Sequence, residues 1–128
     1  MPIIPEELES NLAHFTGSVE YTRAKYPGVN LLLTDGAKYL CDNAKCYWLM
    51  GVIASYQPKK LAKEEFQTWI IRVNETKSAV VTCDDGNGHI LVEQHIPWTD
   101  FPSRELKLYA QRAEYPEPGL IVMLPSEY

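Results

Sequence analysis

The hydrophobic period of this chain changes once, near residue 66, and that change limits most strongly what it can fold into. Before it, apolar side chains recur at helical spacing. Leu8, Leu12 and Phe15 share one face of "PEELESNLAHFTG", where Pro5, Glu6 and Glu7 suit a helix start and Gly17 its end. Ala37, Leu40, Cys41 and Ala44 share a face of a second helix, for which Asp35 is the expected cap. "CYWLMGVIASYQP" is apolar on nearly every side, which predicts a third helix buried all round, capped by Asn43 and ended by Pro58. Between the first two, Val19, Tyr21 and Arg23 alternate with polar residues, "YPG" marks a turn, and "NLLLT" is a short strand candidate.

From Phe66 onward the period is two. "FQTWIIRVN" puts Trp69, Ile71 and Val73 on one face, and "ELKLYAQR" sets Leu106, Leu108 and Ala110 against Glu105, Lys107 and Tyr109. "SAVVTC", "HILVEQHI" and "GLIVML" complete a set of strands, the last apolar enough to be covered on both faces, with "YPEPG" as the turn before it. The charged "KKLAKEE" reads as a solvated turn between the two halves. Helices first and strands later, with no βαβ rhythm, predict an α+β fold. The expected architecture is a single domain over residues 1–128, with N-terminal helices packed on a C-terminal antiparallel sheet of about five strands.

Charge narrows the function classes. Seventeen acidic residues against twelve basic ones give a net charge of −5. Binding to phosphate backbones rests on Lys and Arg, so direct nucleic-acid binding is the least favoured class, while a basic protein surface is a suitable partner. Three cysteines without paired spacing form no disulfide framework. The start "MPIIPEELES" has no signal-peptide pattern, and the longest apolar run, "CYWLMGVIA", is nine residues, against the ~20 that span a bilayer. A cytoplasmic protein that does not enter a membrane is expected; the oligomeric state is open.

The densest group of reactive side chains is "CDDGNGHILVEQH", residues 83–95. A two-residue loop at Gly86–Asn87 or Asp85–Gly86 would place Val81 and Cys83 on one face with Ile90 and Val92, whereas a three-residue loop would break that match. His89, Glu93 and His95 share a face, but six residues of strand hold the two histidines roughly 20 Å apart, too far for one metal ion. Asp84 and Asp85 lack calcium-loop spacing, and Cys41 and Cys46 lack that of a zinc knuckle. The segment is expected to be a hairpin, with no bound metal, and no cofactor signature is present. "HIPWTDF" is more unusual. It sets His95, Trp98 and Asp100 at a strand end, where a histidine and a carboxylate can do acid–base chemistry. A small hydrolase or transferase centred on His95 and Asp100, with Asp35 as a third group, is the enzymatic alternative. A binding patch of Trp98, Asp100 and Phe101 is the favoured one, since exposed aromatics anchor interfaces.

Four ordered pieces, "YLCDNAKCYWLMGVIASYQ", "EEFQTWIIRV", "IPWTDFPSRELKLYAQR" and the terminal "LPSEY", resemble a family of small bacterial and phage proteins known only as a domain of unknown function. Its short motifs correspond to Thr34–Gly36, Tyr47–Leu49, Phe66–Gln67 with Trp69, Thr99–Pro102 and Leu124–Tyr128. The chain departs at Gly51, where the pattern would place an aspartate, which removes a catalytic acid there. The resemblance implies an accessory role on a phage or mobile element. Counter-defence inhibition of nucleic-acid-guided nucleases, an anti-CRISPR-like activity, is one class of such roles. A non-enzymatic binding protein with a protein partner is therefore the expectation.

Overall fold

The computed structural model describes residues 5–15, 20–114 and 117–128. Gly17, Val19 and the Tyr115–Pro116 part of the last turn lie outside them. In chain order the elements are α1 (Pro5–Leu12), β1 (Thr22–Tyr26), β2 (Val29–Leu33), α2 (Asp35–Ala44) and α3 (Tyr47–Ser55). Then follow β3 (Phe66–Val73), β4 (Ala79–Asp84), β5 (Ile90–Ile96), β6 (Glu105–Ala113), β7 (Gly119–Met123) and a 3-10 turn, Pro125–Glu127. The fold is α+β.

The architecture departs from expectation in three ways. The sheet has seven strands, in the order β1-β2-β7-β6-β3-β4-β5, where about five were expected. Two of them precede α2 and α3, so the helices are not all N-terminal. The sheet is also not wholly antiparallel, because β2 runs parallel to β7, with Leu31 opposite Leu120 and Leu33 opposite Val122. A parallel pair needs a long crossover. Here residues 34–118 lie between the two partners, so no local periodicity could reveal the pairing.

Side chains alternate across the strands, and one face of the sheet carries the core. Leu31, Leu33, Leu120, Val122, Leu108, Ala110, Trp69, Ile71, Val81, Cys83 and Val92 are buried with Leu8 and Leu12 of α1, Ala37, Leu40, Cys41 and Ala44 of α2, and Leu49, Met50, Ile53 and Ala54 of α3. The helical faces expected for α1 and α2 are the faces used. In β1 the half-buried set is Thr22, Ala24 and Tyr26, so Tyr21 and Arg23 point away from the core. Helix α3 is not buried all round either: Tyr47 and Ser55 are exposed and Trp48 half-buried.

Caps differ from the sequence reading as well. Thr34, not Asp35, is the N-cap of α2; its hydroxyl accepts from the Ala37 amide at 3.2 Å. Asp35 is the first helical residue, where its charge suits the dipole. Asn43 caps nothing in α3: Cys46 holds that place without a side-chain capping bond, and Asn43 donates to the Tyr39 carbonyl.

Two polar clusters lock the layers together. The first is buried. Gln57 and Gln67 exchange amide hydrogen bonds at 2.8 and 2.9 Å, and Trp69 Nε1 donates to Gln67 Oε1 at 3.0 Å. Arg112 donates to Gln57 Oε1 and to the carbonyls of Leu61 and Glu64. "KKLAKEE" is thereby more than a solvated turn, because Leu61 is fully buried and Arg112 ties its backbone to β6.

The second cluster docks the C-terminal "LPSEY". Glu127 Oε1 accepts from the Thr34 hydroxyl at 2.6 Å and from the Leu124 amide at 3.0 Å, while Oε2 accepts from the Gly36 amide at 3.1 Å. A carboxylate thus closes the positive end of α2. Gly36 is required by space. A Cβ there would lie 2.5 Å from Glu127 Oε1 and 2.6 Å from Leu124 Cδ1.

Gly36→Ala should therefore destabilise the protein by about 1–3 kcal/mol, the usual cost of overpacking. Gly51→Ala is the contrasting change, since its Cβ would meet only Tyr26 Cε1 at 3.9 Å. A helix-interior glycine replaced by alanine should gain about 0.5–1 kcal/mol. Urea unfolding of both variants checks this: the midpoint should fall for the first and rise or hold for the second.

Candidate functional site

The glycine-rich segment is a hairpin tip whose acids serve the turn. Asp85 N–H donates to the His89 carbonyl, leaving Gly86, Asn87 and Gly88 as a three-residue loop in which both glycines have positive φ, 88° and 90°. Asp84 Oδ1 accepts from the Gly86 amide at 2.7 Å, and Asp85 Oδ1 from the Asn87 amide at 2.8 Å. The two-residue loop is thus corrected. The mismatch it was meant to avoid is removed by a bulge: Asp84 pairs with Ile90 but Cys83 with Val92, so Leu91 is the extra residue. Val81, Cys83 and Val92 keep their common face, while Ile90 leaves it and is 59% exposed.

The histidines do not meet. His89 Nδ1 lies 2.9 Å from Asp85 Oδ2, and His95 Nε2 lies 3.1 Å from Glu93 Oε2. Among the described residues, no three His, Cys, Asp or Glu side chains are grouped closely enough to hold a metal ion. The three residues of the enzymatic alternative are also dispersed. Asp35 follows β2 and His95 sits in β5, five strand steps apart, or roughly 24 Å along the sheet. His95 pairs with Glu93, no hydrogen bond joins it to Asp100, and none of the three lines a described cavity.

The cysteines are equally unsuited to nucleophilic chemistry. All three are free and buried. Burial, with the charges of Asp84, Glu64 and Asp85 behind it, pushes the Cys83 thiol up to about 12. A hydrogen bond with Cys41 and burial raise Cys46 further still.

The expected binding patch is split. Trp98 is 65% exposed and Asp100 is exposed, but Phe101 is buried in the core and offers no contact surface. Phe101 and the buried Thr99 instead anchor the loop. Thr99 N–H donates to the Lys77 carbonyl at 2.8 Å, and the Phe101 amide donates to Thr99 Oγ1. Trp98 is thus displayed on a fixed backbone.

A second surface was missed in the sequence. On the face of the sheet opposite the core, Phe66, Tyr109 and Tyr128 form a ring cluster with centroids 5.2–5.4 Å apart. Tyr128 is 72% exposed. Beside it a recess of about 490 Å³ is lined by Tyr21, Gln111, Ile121, Met123 and Tyr128, with Thr34 and Glu127 also on its wall. Alternation in "FQTWIIRVN" and "ELKLYAQR" does put Phe66 and Tyr109 off the core face. Their approach to Tyr128 depends on the docked C-terminal turn, which has no periodic signal.

The chain matches the model of a family of unknown function, DUF6876, over residues 6–128. It belongs to that family. No curated protein and no solved structure matches it. The motifs noted in the sequence acquire physical roles in this DUF6876 member. Thr34 and Gly36 meet Glu127, and Gln67 with Trp69 anchors the buried network. Among the described residues no helix is long and apolar enough to cross a membrane.

Two measurements follow. The three thiols should resist a disulfide reagent in native protein and react fully in denaturant. Fast native labelling of any one would contradict their burial. At the hairpin tip, a hydrogen bond from His89 holds the Asp85 carboxyl below its ordinary value and raises the His89 imidazole above its own. The raised histidine favours the tip fully below the ordinary histidine range and ceases to do so as pH rises through its folded value. The lowered carboxyl does so above the ordinary carboxylate range and ceases as pH falls through its folded value. The ion pair therefore occupies the window between them. An NMR titration should place His89 above the free-histidine value, and Asp85→Asn should bring it back down.

Proposed function

We propose that this protein acts by binding another protein, through the face of the sheet that its helices leave open. The observation that carries this is the Phe66–Tyr109–Tyr128 cluster beside a recess of mixed polar and apolar lining. An antiparallel sheet with one solvated face ordinarily turns polar residues outward. Here Ile121, Met123, Tyr109, Phe66 and Ile70 alternate with core residues on neighbouring strands and form an apolar band. Tyrosines give large contact area at low entropic cost and are enriched at interface anchors.

The excess of acids supports a basic partner surface, which opposite charge would attract from a distance. The dispersal of His95, Asp100 and Asp35 supports binding over catalysis. An accessory role for a phage or mobile element, including inhibition of a nucleic-acid-guided nuclease, belongs to this proposal through the family resemblance. What supports it on physical grounds is the fit between an acidic protein and the basic channels of such enzymes.

Affinity capture from a host lysate, with wild type and Tyr128→Ala side by side, tests the surface. Tyr128 is mostly exposed, so the variant should stay folded, with melting lowered only by the loss of its two ring contacts, while its affinity for the captured protein falls roughly tenfold or more, as at a hot spot. Raising salt should slow association more than it speeds dissociation. A captured partner that binds both forms equally would remove this face from the interface.

A further inference from the structure

The two edges of the sheet are built differently. β1 closes one edge, where Lys25 is an exposed cation and Arg23 is already paired with Glu117. β5 closes the other edge. Among the described residues no strand pairs with its outer side, and its backbone groups there are a template for another strand. Its exposed side chains are Glu93 and His95, a pair that attracts, as their 3.1 Å contact within one chain shows. Ile90 begins the strand and Trp98 stands two residues past its end, 59% and 65% exposed, each four residues from Gln94.

We infer that β5 is a self-complementary edge and that its partner is the β5 of a second copy of this chain, antiparallel about a two-fold axis at Gln94. In that register Glu93 of each copy faces His95 of the other, on the same side of a continuous sheet. Val92 faces Ile96, and Gln94 meets its own equivalent with its side chain already held by the Tyr56 hydroxyl at 2.8 Å. Ile90 of one copy then falls beside Trp98 of the other. A single register thus covers both exposed apolar side chains and doubles the Glu–His pairs. Any other register loses one of these: centring on Glu93 opposes two carboxylates, and centring on His95 opposes two imidazoles. β5 carries Glu93 and His95 in the order that a two-fold axis requires. The contact runs along the outer edge of β5, two strands or more from the aromatic cluster proposed to bind a foreign protein, and rests on separate residues.

Sedimentation equilibrium of the full chain over a broad concentration range tests this. Wild type should pass from monomer to dimer with a micromolar dissociation constant. Glu93→His sets imidazole against imidazole and His95→Glu sets carboxylate against carboxylate, so each should weaken the dimer. The exchanged double variant, Glu93→His with His95→Glu, should restore it, a recovery that only this register gives. Trp98→Ala should weaken it roughly tenfold without lowering the melting temperature, because the ring is exposed. Melting curves establish that each variant is folded; both exchanged side chains are more than half exposed. A wild type that stays monomeric throughout overturns the inference and leaves this edge for a strand of another protein. A dimer indifferent to the single changes, or one that the exchange fails to recover, overturns it equally.

Discussion

The carboxylate of Glu127 is the interaction on which the arrangement of the rest depends. Because β2 and β7 are parallel neighbours, their C-terminal ends emerge on the same side of the sheet. The helix that follows β2 begins where the turn that follows β7 ends. Glu127 occupies that meeting point and joins the first helical amides to the chain terminus through the Thr34 hydroxyl, the Gly36 amide and its own Leu124 amide. A side chain at Gly36 would occupy the space of the carboxylate. The same clasp orients the last residue. Tyr128 leaves the turn on the open face of the sheet and packs edge-on against Phe66 and Tyr109, so the proposed binding surface is a by-product of how the helix is capped.

Opposite that clasp, the Gln57–Gln67–Trp69–Arg112 cluster does for α3 what Glu127 does for α2. Buried amides are costly unless paired, and here the side-chain polar groups of two glutamines and a tryptophan find partners in each other and in Arg112. The pairing fixes the loop after α3 against β6 and commits one face of the sheet to the helices. What remains for function is the other face and the two edges. The fold has spent many of its reactive groups on itself: the aspartates of the hairpin hold the turn, the thiols are buried, and His89 and His95 each pair with a carboxylate beside them.

The β4–β5 hairpin shows two local rules in competition. Turn chemistry favours Gly-Asn-Gly as a three-residue loop, which alone would put Val92 on the wrong side of the sheet. The hydrophobic pattern demands that Val92 face the core. Leu91 resolves the conflict by bulging, which restores the register below it and expels Ile90 to solvent. The exposed isoleucine is a consequence of that repair, and it lies on the edge where a second chain can cover it.

Local signals determined a good deal. The faces of α1 and α2, the alternation of β3 and β6, and the existence of a β4–β5 hairpin follow from periodicity and turn residues, because each of these involves neighbours within a few positions. Tertiary structure decided the rest. The parallel β2–β7 pair, the closing of the α2 N-terminus by Glu127, and the tie between the Leu61 carbonyl and Arg112 all join residues far apart in sequence. The fates of Trp98 and Phe101 were settled in the same way. Three residues apart in one loop, they differ only in which of them the folded backbone turns toward the core, and composition carries no record of that direction.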